Sequence, residues 1–287
     1  QPSGANAPIP VSFSGRGASQ FSAHAPVKET CLVPIRIADN LPARRTLESE
    51  GVIVMGESEA ARQDIRPLRI ALLNLMPDKI TTETQIARLL GATPLQVELE
   101  LLRISGHVSK NTSAGHLAEF YRPWDEVRAE KFDGLIVTGA PVETIAYTEV
   151  TYWDELRQIF DWSQTHVHHT LTICWGAMAA LYHFHGVDKH PLEEKASGVF
   201  PHWNRAPATP WMRGLPDLFD VPVSRWSEVR SEDIPASSGL TVLAESDETG
   251  LSLLADPALQ PGLRAQLERA LRIRDYASRE LGLPDNG

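Results

Sequence analysis

Phe132-Asp133-Gly134-Leu135-Ile136-Val137-Thr138-Gly139-Ala140-Pro141 decides how this chain folds. A short, nearly continuous apolar run that stops at a Gly-Ala-Pro turn is the pattern of a strand covered on both faces of a parallel sheet. The flanks agree with it. Downstream, 150–165 reads as a helix with Trp153, Leu156, Ile159, Phe160 and Trp162 on its buried side. A further strand is expected at 169–174 and a helix at 175–185. Upstream, the run 68–75 is a second buried strand, ended by Pro77. A helix should open at 81–85, with Thr81 or Thr82 as its N-cap and Ile86, Leu89 and Leu90 on one side. The alternating 97–104 reads as a strand and 113–127 as another helix. Strands and helices that alternate with connections this short predict right-handed βαβ units on a parallel sheet, an α/β fold. Two later strand candidates, 240–244 and 251–254, are expected to extend that sheet. The stretch 261–281 reads as an amphipathic helix with Leu263, Leu267 and Leu271 at i, i+4 spacing.

Composition removes several functional classes. Lys and Arg number 27 against 37 Asp and Glu, leaving a net charge of −10 in 287 residues. A nucleic-acid binder needs a basic face to displace counterions, so no nucleic-acid partner is expected. Small anionic ligands stay open, because a few N–H groups bind them locally. No run of about 18 apolar residues exists, so no membrane partner is expected either. Two cysteines cannot build a disulfide framework, and a reducing, cytoplasmic setting follows. Residues 1–32, rich in Pro, Ser, Gly and Ala without periodicity, read as a disordered extension.

Ligands of an open parallel sheet gather where strands end and helices begin. Three such points are Asn74-Leu75-Met76-Pro77, Gly139-Ala140-Pro141-Val142-Glu143 and Leu171-Thr172-Ile173-Cys174-Trp175-Gly176-Ala177. The third places a thiol between a strand and a helix. Unpaired N–H groups there favour a thiolate and can hold an oxyanion, while Gly176 lets the backbone come close. A free cysteine is as often a small buried hydrophobe, and only its surroundings decide. A nucleophilic thiol usually has a basic partner, and the ten histidines are poorly placed for it. His166, His168 and His169 precede the strand, His183, His185 and His190 lie on or after the next helix, and His202 is the last in the chain. His183-x-His185 lacks a Cys or carboxylate at ligand spacing, so no metal is expected and a surface or helix-end role is preferred.

Several motifs together resemble the homoserine O-acyltransferase family of methionine biosynthesis, the MetA type. They are Val33 to Ala43, Ile65-Arg66-Pro67-Leu68, Leu73-Asn74-Leu75-Met76-Pro77, Ile80-Thr81-Thr82-Glu83-Thr84-Gln85, Asn111-Thr112, Phe132 to Pro141, Ile173-Cys174-Trp175, Glu194-Lys195 with Gly198-Val199-Phe200, and Ser224-Arg225-Trp226. The likeness covers 33–255 as one homoserine O-acyltransferase-like domain, and Val33 stands where family members begin with Met. It implies a flavodoxin-like, class I glutamine amidotransferase-like parallel sheet flanked by helices. It also implies ping-pong transfer of an acyl group from acyl-CoA to the γ-hydroxyl of L-homoserine, with no cofactor and with a homodimer as one possible assembly. By the same resemblance Cys174 is the catalytic nucleophile that carries the thioester, and the backbone N–H groups of Trp175 and Val142 form the oxyanion hole. Lys195 and Ser224 match the family's homoserine-contacting positions. Chemically, an ammonium suits an amino-acid carboxylate and a hydroxyl can orient a polar substrate. Glu143 matches the position that selects the acyl donor. A carboxylate there removes space and repels the free carboxylate of a succinyl group, so acetyl-CoA is expected, with succinyl-CoA the alternative.

The chain also departs from the pattern. The family's His-Pro-Glu-Tyr-Asp segment, which supplies a general base, and a later homoserine-contacting arginine have no counterpart, and 256–287 reads as a divergent helical tail. Losing a general base costs on the order of 10²- to 10⁴-fold, which bears on transfer to the hydroxyl more than on acylation of the thiol. Three readings remain: a homoserine O-acetyltransferase, another thiol chemistry such as thioester or amide hydrolysis, and a non-catalytic relative that binds acyl-CoA or a protein.

Overall fold

The computed structural model describes residues 35–56, 66–93, 95–106 and 112–260. In chain order its strands are β1 (Ile35–Arg36), β2 (Val54–Met55), β3 (Leu68–Leu73), β4 (Val97–Arg103), β5 (Tyr121–Pro123), β6 (Phe132–Val137), β7 (Val167–Thr172), β8 (His190–Asn204), β9 (Leu218–Glu228), β10 (Thr241–Ser246) and β11 (Gly250–Ala255). The α-helices are α1 (Ala43–Ser49), α2 (Lys79–Gly91), α3 (Ala114–Phe120), α4 (Trp124–Val127), α5 (Trp153–His166) and α6 (Trp175–His185). The extension at 1–32 and the helix expected at 261–281 fall outside the described residues.

The expected parallel sheet is present. Among the described residues seven strands join it, in the order β2-β1-β4-β3-β6-β7 with β5 beside β4, and every recorded pairing is parallel. Side chains alternate across the sheet, so neighbouring residues of one strand feed different cores. Leu73, Leu135 and Val137 pack with Trp153, Leu156, Ile159 and Phe160 of α5 and Met178 and Ala179 of α6. Leu72, Ile136, Leu99 and Leu101 face the other way, onto Leu47 of α1 and Ala87 of α2. Burial on both faces is what made these runs read as continuously apolar.

The structure corrects three expectations. Helix α2 is capped by Asp78, whose carboxylate accepts from Thr81 N at 3.1 Å, rather than by Thr81 or Thr82. The single helix expected at 113–127 is two, broken by β5. Pro123 disfavours helical backbone at the residue before it, and Tyr121 to Pro123 pairs with β4 instead. The strands predicted at 240–244 and 251–254 do exist, as β10 and β11, but they do not extend the parallel sheet. A tight turn closing at Gly250, with φ 72°, joins them, and a turn that short links only antiparallel neighbours. They belong to a second, antiparallel sheet in the order β11-β10-β8-β9.

That second sheet is built on β8 and β9, which the sequence did not announce. They pair from His190 opposite Glu228 to Trp203 opposite Leu218, with an irregularity between Pro191 and Ala196. Most β8 residues are exposed, so no apolar alternation marks that strand; β9 does alternate, with Phe219, Val221 and Val223 half-buried between exposed neighbours, but only over a short stretch that Pro222 interrupts. Pro222 is tolerated because β9 is an edge strand.

Candidate functional site

Strand β7 pairs with β6, and Ile173 N–H still donates to Val137 O at 2.9 Å just beyond it. The next residue turns the chain into α6. Cys174 adopts φ 53° and ψ −120°, and it is the one non-glycine with positive φ among the described residues. This conformation is nearly reserved for glycine and costs of order 1–3 kcal/mol. Two glycines make room for the elbow. A Cβ on Gly176 would stand 2.6 Å from Thr138 O, and one on Gly139 would stand 3.2 Å from the Cβ of Cys174. The thiol is thereby pressed between the end of β6 and the first turn of α6.

Cys174 is exposed as a residue, and its chemistry is set by what surrounds the sulfur. Burial of the sulfur pushes the thiol above its ordinary pKa; the Trp175 N–H it accepts pulls it back, the Glu143 carboxylate pushes it up again, and the Arg225 guanidinium draws it down. The helix terminus does favour the thiolate as the sequence led one to expect, but burial outweighs it. Sγ is therefore a resting thiol. Of the two N–H groups expected to hold an oxyanion, Trp175 N–H is at the sulfur. Val142 N–H instead donates to Ala140 O at 2.9 Å, in a tight turn around Pro141.

Cys174 opens on a cavity of about 190 Å³. Met178 and Leu181 of α6 line it with Ser224 and Arg225 of β9, Val229, and Leu251 and Leu254 of β11. The antiparallel sheet thus supplies the wall opposite the thiol. It also straps down the loop after β6. Trp226 N–H donates to the Glu143 carboxylate at 3.0 Å, the Ser227 hydroxyl to Glu143 O at 3.3 Å, and Lys189 Nζ to Ile145 O at 2.8 Å. Glu143 is consequently a fixed charge beside the sulfur.

Of the residues expected at a site, Cys174, Trp175, Glu143 and Ser224 come together. Lys195 is exposed on β8, one residue before the Ala196–Arg225 pair, and is not part of the cavity wall. Arg225 was quoted in the motif and given no role, yet it lines the cavity. The loop at Asn74 is locked away from the site. The Asn74 amide donates to Tyr121 OH at 2.9 Å, Tyr121 OH donates to the buried Glu83 carboxylate at 2.5 Å, and Lys79 Nζ donates to Asn74 O at 2.5 Å. Burial lowers Lys79 to a pKa of about 8.

Among the described residues no histidine lines the cavity. His183 and His185 each pair with a carboxylate, Asp161 at 2.8 Å and Asp256 at 2.9 Å, and both side chains are 11% exposed. The surface role expected for them is thus a paired, mostly covered one. No group of three or more His, Cys, Asp or Glu residues able to hold a metal occurs among the described residues, and no described helix is long and apolar enough to cross a membrane. A second cavity of about 540 Å³ runs along the open edge of β7, lined largely by apolar side chains such as Leu171, Leu243 and Leu253. It does not include Cys174.

Comparison with known proteins gives these surroundings a context. A family model described as homoserine O-succinyltransferase matches residues 34–261. A homoserine O-acetyltransferase of Novosphingobium aromaticivorans is 80% identical over 228 residues, which is 79% of this chain and 76% of that protein. One of Brucella canis is 63% identical over 225 residues, 78% of this chain and 74% of that protein. Among solved structures, a glutamine amidotransferase from Thermotoga maritima aligns with a TM-score of 0.47 at 10% identity, covering 77% of this chain and 88% of that one.

Proposed function

The chain belongs to the homoserine O-succinyltransferase family, and on that premise we propose that it moves an acetyl group from acetyl-CoA to the γ-hydroxyl of L-homoserine through a thioester on Cys174. The observation that carries the reading is the strained elbow, which fixes a thiol between the Trp175 N–H and a small cavity.

In the first half-reaction Cys174 loses its proton, and Sγ attacks the acetyl carbonyl carbon. Trp175 N–H takes the developing oxyanion. The carbon–sulfur bond to CoA breaks, and CoA leaves with a proton. In the second half-reaction the homoserine oxygen attacks the thioester, its proton passes to a base, and Cys174 leaves as thiolate. Ser224 and Lys195 are assigned to contact homoserine. Among the described residues no histidine lines the cavity wall to serve as that base.

Glu143 supports acetyl-CoA as donor. Its carboxylate is pinned by Trp226 N–H beside the sulfur, where a succinyl carboxylate would meet a like charge. The second reading is a relative that takes the acetyl group without passing it on, as expected where no described histidine lines the wall.

The test mixes the protein with acetyl-CoA or succinyl-CoA, with and without L-homoserine. It follows free CoA and looks for an adduct on Cys174 by mass spectrometry. Homoserine-dependent CoA release from acetyl-CoA supports the proposal. An acetyl adduct without such release supports the second reading. Release that ignores homoserine indicates hydrolysis, and a preference for succinyl-CoA overturns the role of Glu143.

A further inference from the structure

Among the described residues Arg225 is the one cation on the wall of the Cys174 cavity. Its Nη1 donates to Leu251 O at 3.0 Å and its Nη2 to Thr249 O, so the guanidinium is held by neutral carbonyls at the β10–β11 hairpin. Its Nε–H is buried and has no hydrogen-bond partner in the structure. Among the described residues no carboxylate lies within ion-pair distance of it: Glu228, its neighbour on β9, pairs with Arg230 instead.

A half-buried guanidinium whose sealed Nε–H has no acceptor, and which touches no counterion even though the Glu228 and Glu143 carboxylates act on it from a distance, is costly. The cost is offset when a ligand brings the missing anion, and the planar edge of arginine matches a carboxylate better than any other side chain. The cavity has the dimensions for such a ligand. About 190 Å³ accommodates a small amino acid and not a coenzyme. Met178, Leu181 and Leu251 offer apolar surface to its methylenes, and Ser224 adds a hydroxyl beside Arg225.

We propose that Arg225 is the specificity-determining residue that binds the α-carboxylate of the acceptor amino acid, directing its hydroxyl toward the thioester on Cys174. The assignment rests on the reading above that the acceptor is homoserine. Lys195, exposed next to the Ala196–Arg225 pair, then stands at the outer rim of the same subsite.

The experiment uses the full chain and measures how well ligands slow alkylation of Cys174 by iodoacetamide. L-homoserine is compared with L-homoserine amide, which keeps the hydroxyl and amine but has no carboxylate. The acid is expected to protect at concentrations about 10- to 100-fold lower than the amide. Arg225→Gln should level the two, while Arg225→Lys, which keeps the charge, should restore part of the preference. Equal protection by acid and amide in the unchanged protein overturns the proposal, as does failure of both to protect, or a preference that survives Arg225→Gln. The comparison in the unchanged protein stands even if a variant does not fold. Acetylation of Cys174 by acetyl-CoA is read separately. An adduct without carboxylate preference removes only the role of Arg225, and preference without an adduct removes only the acyl-transfer reading.

Discussion

The two sheets of this molecule divide its labour by how they treat water. The parallel sheet is covered on both faces: Leu72 and Leu73, adjacent in β3, feed opposite cores and are both fully buried. Its strand ends are therefore rigid, and one of them holds a backbone conformation that costs energy. The β8–β9 ribbon of the antiparallel sheet is open to water on one face, with Val199 67% exposed and Trp226 44% exposed, and is only partly covered on the other. It contributes little core, and yet it carries Ser224 and Arg225 to the cavity and the Trp226 N–H that fixes Glu143. In the proposed reaction, reactivity sits on the covered sheet and recognition on the more exposed one. Strain needs a stiff support, whereas contacts to a polar substrate need side chains that are free to be polar.

The hardest blow to that division falls at the elbow. Cys174→Ala is expected to remove CoA release and the acetyl adduct, a loss on the order of 10⁴-fold or more, while leaving the melting temperature of the protein close to its original value. If adduct and turnover survived the change, the reactive centre would lie elsewhere.

Stability should separate the sheets next. Leu73→Ala empties a fully buried site and is expected to cost about 2–5 kcal/mol in denaturant unfolding. Val199→Ala, on the ribbon, should stay within about 0.5 kcal/mol. Similar losses at both positions would show that the ribbon packs more tightly than its exposure implies.

Gly176→Ala probes the join between strand end and helix. Its Cβ meets Thr138 O at 2.6 Å, main chain that cannot swing aside. About 1–3 kcal/mol should be lost as α6 is pushed from β6, and the alkylation rate of Cys174 should change with it. An unchanged rate would mean that the thiol does not depend on this close approach.

The smallest effect is in pH. Because burial and Glu143 hold the thiol above its ordinary value, the thiolate fraction at neutral pH is low. The iodoacetamide rate should climb through the alkaline range, with a midpoint above the free-cysteine value of about 8.5. Glu143→Gln removes the like charge, so the midpoint should fall and the rate at pH 7 rise by a few fold. A midpoint below that of a free thiol in the unchanged protein would reverse the assigned balance.

Much of the covered sheet was legible in the sequence, because continuous apolar runs such as 68–75 and 132–137 have few other uses. Helix α6 was read at its structural limits, and Cys174 was placed at its start. The strain at Cys174 was not legible, since glycine, and more weakly Asn and Asp, signal a positive φ and cysteine does not. Nor could the Val142 N–H be known to turn back on Ala140 O. Strand β8 left no periodic signal: 190–204 mixes Pro, Glu, Lys, Gly and His with no buried face. Arg225 was visible only as part of a tripeptide, because its significance depends on Leu251 O and Thr249 O, which lie far along the chain. Pro123, which breaks the helix expected at 113–127, was a signal present and overlooked.

The left-handed geometry at position 174 carries a consequence for mutational drift. Glycine would occupy φ 53° and ψ −120° at ease, so the Cys174→Gly protein should withstand heat better than Cys174→Ala, which keeps a Cβ in the same forbidden basin. Relieved of its reaction, a lineage carrying this fold would find an easy downhill step at that codon. Under the proposed reaction, a cysteine there is hardiness forgone to keep a sulfur at the elbow.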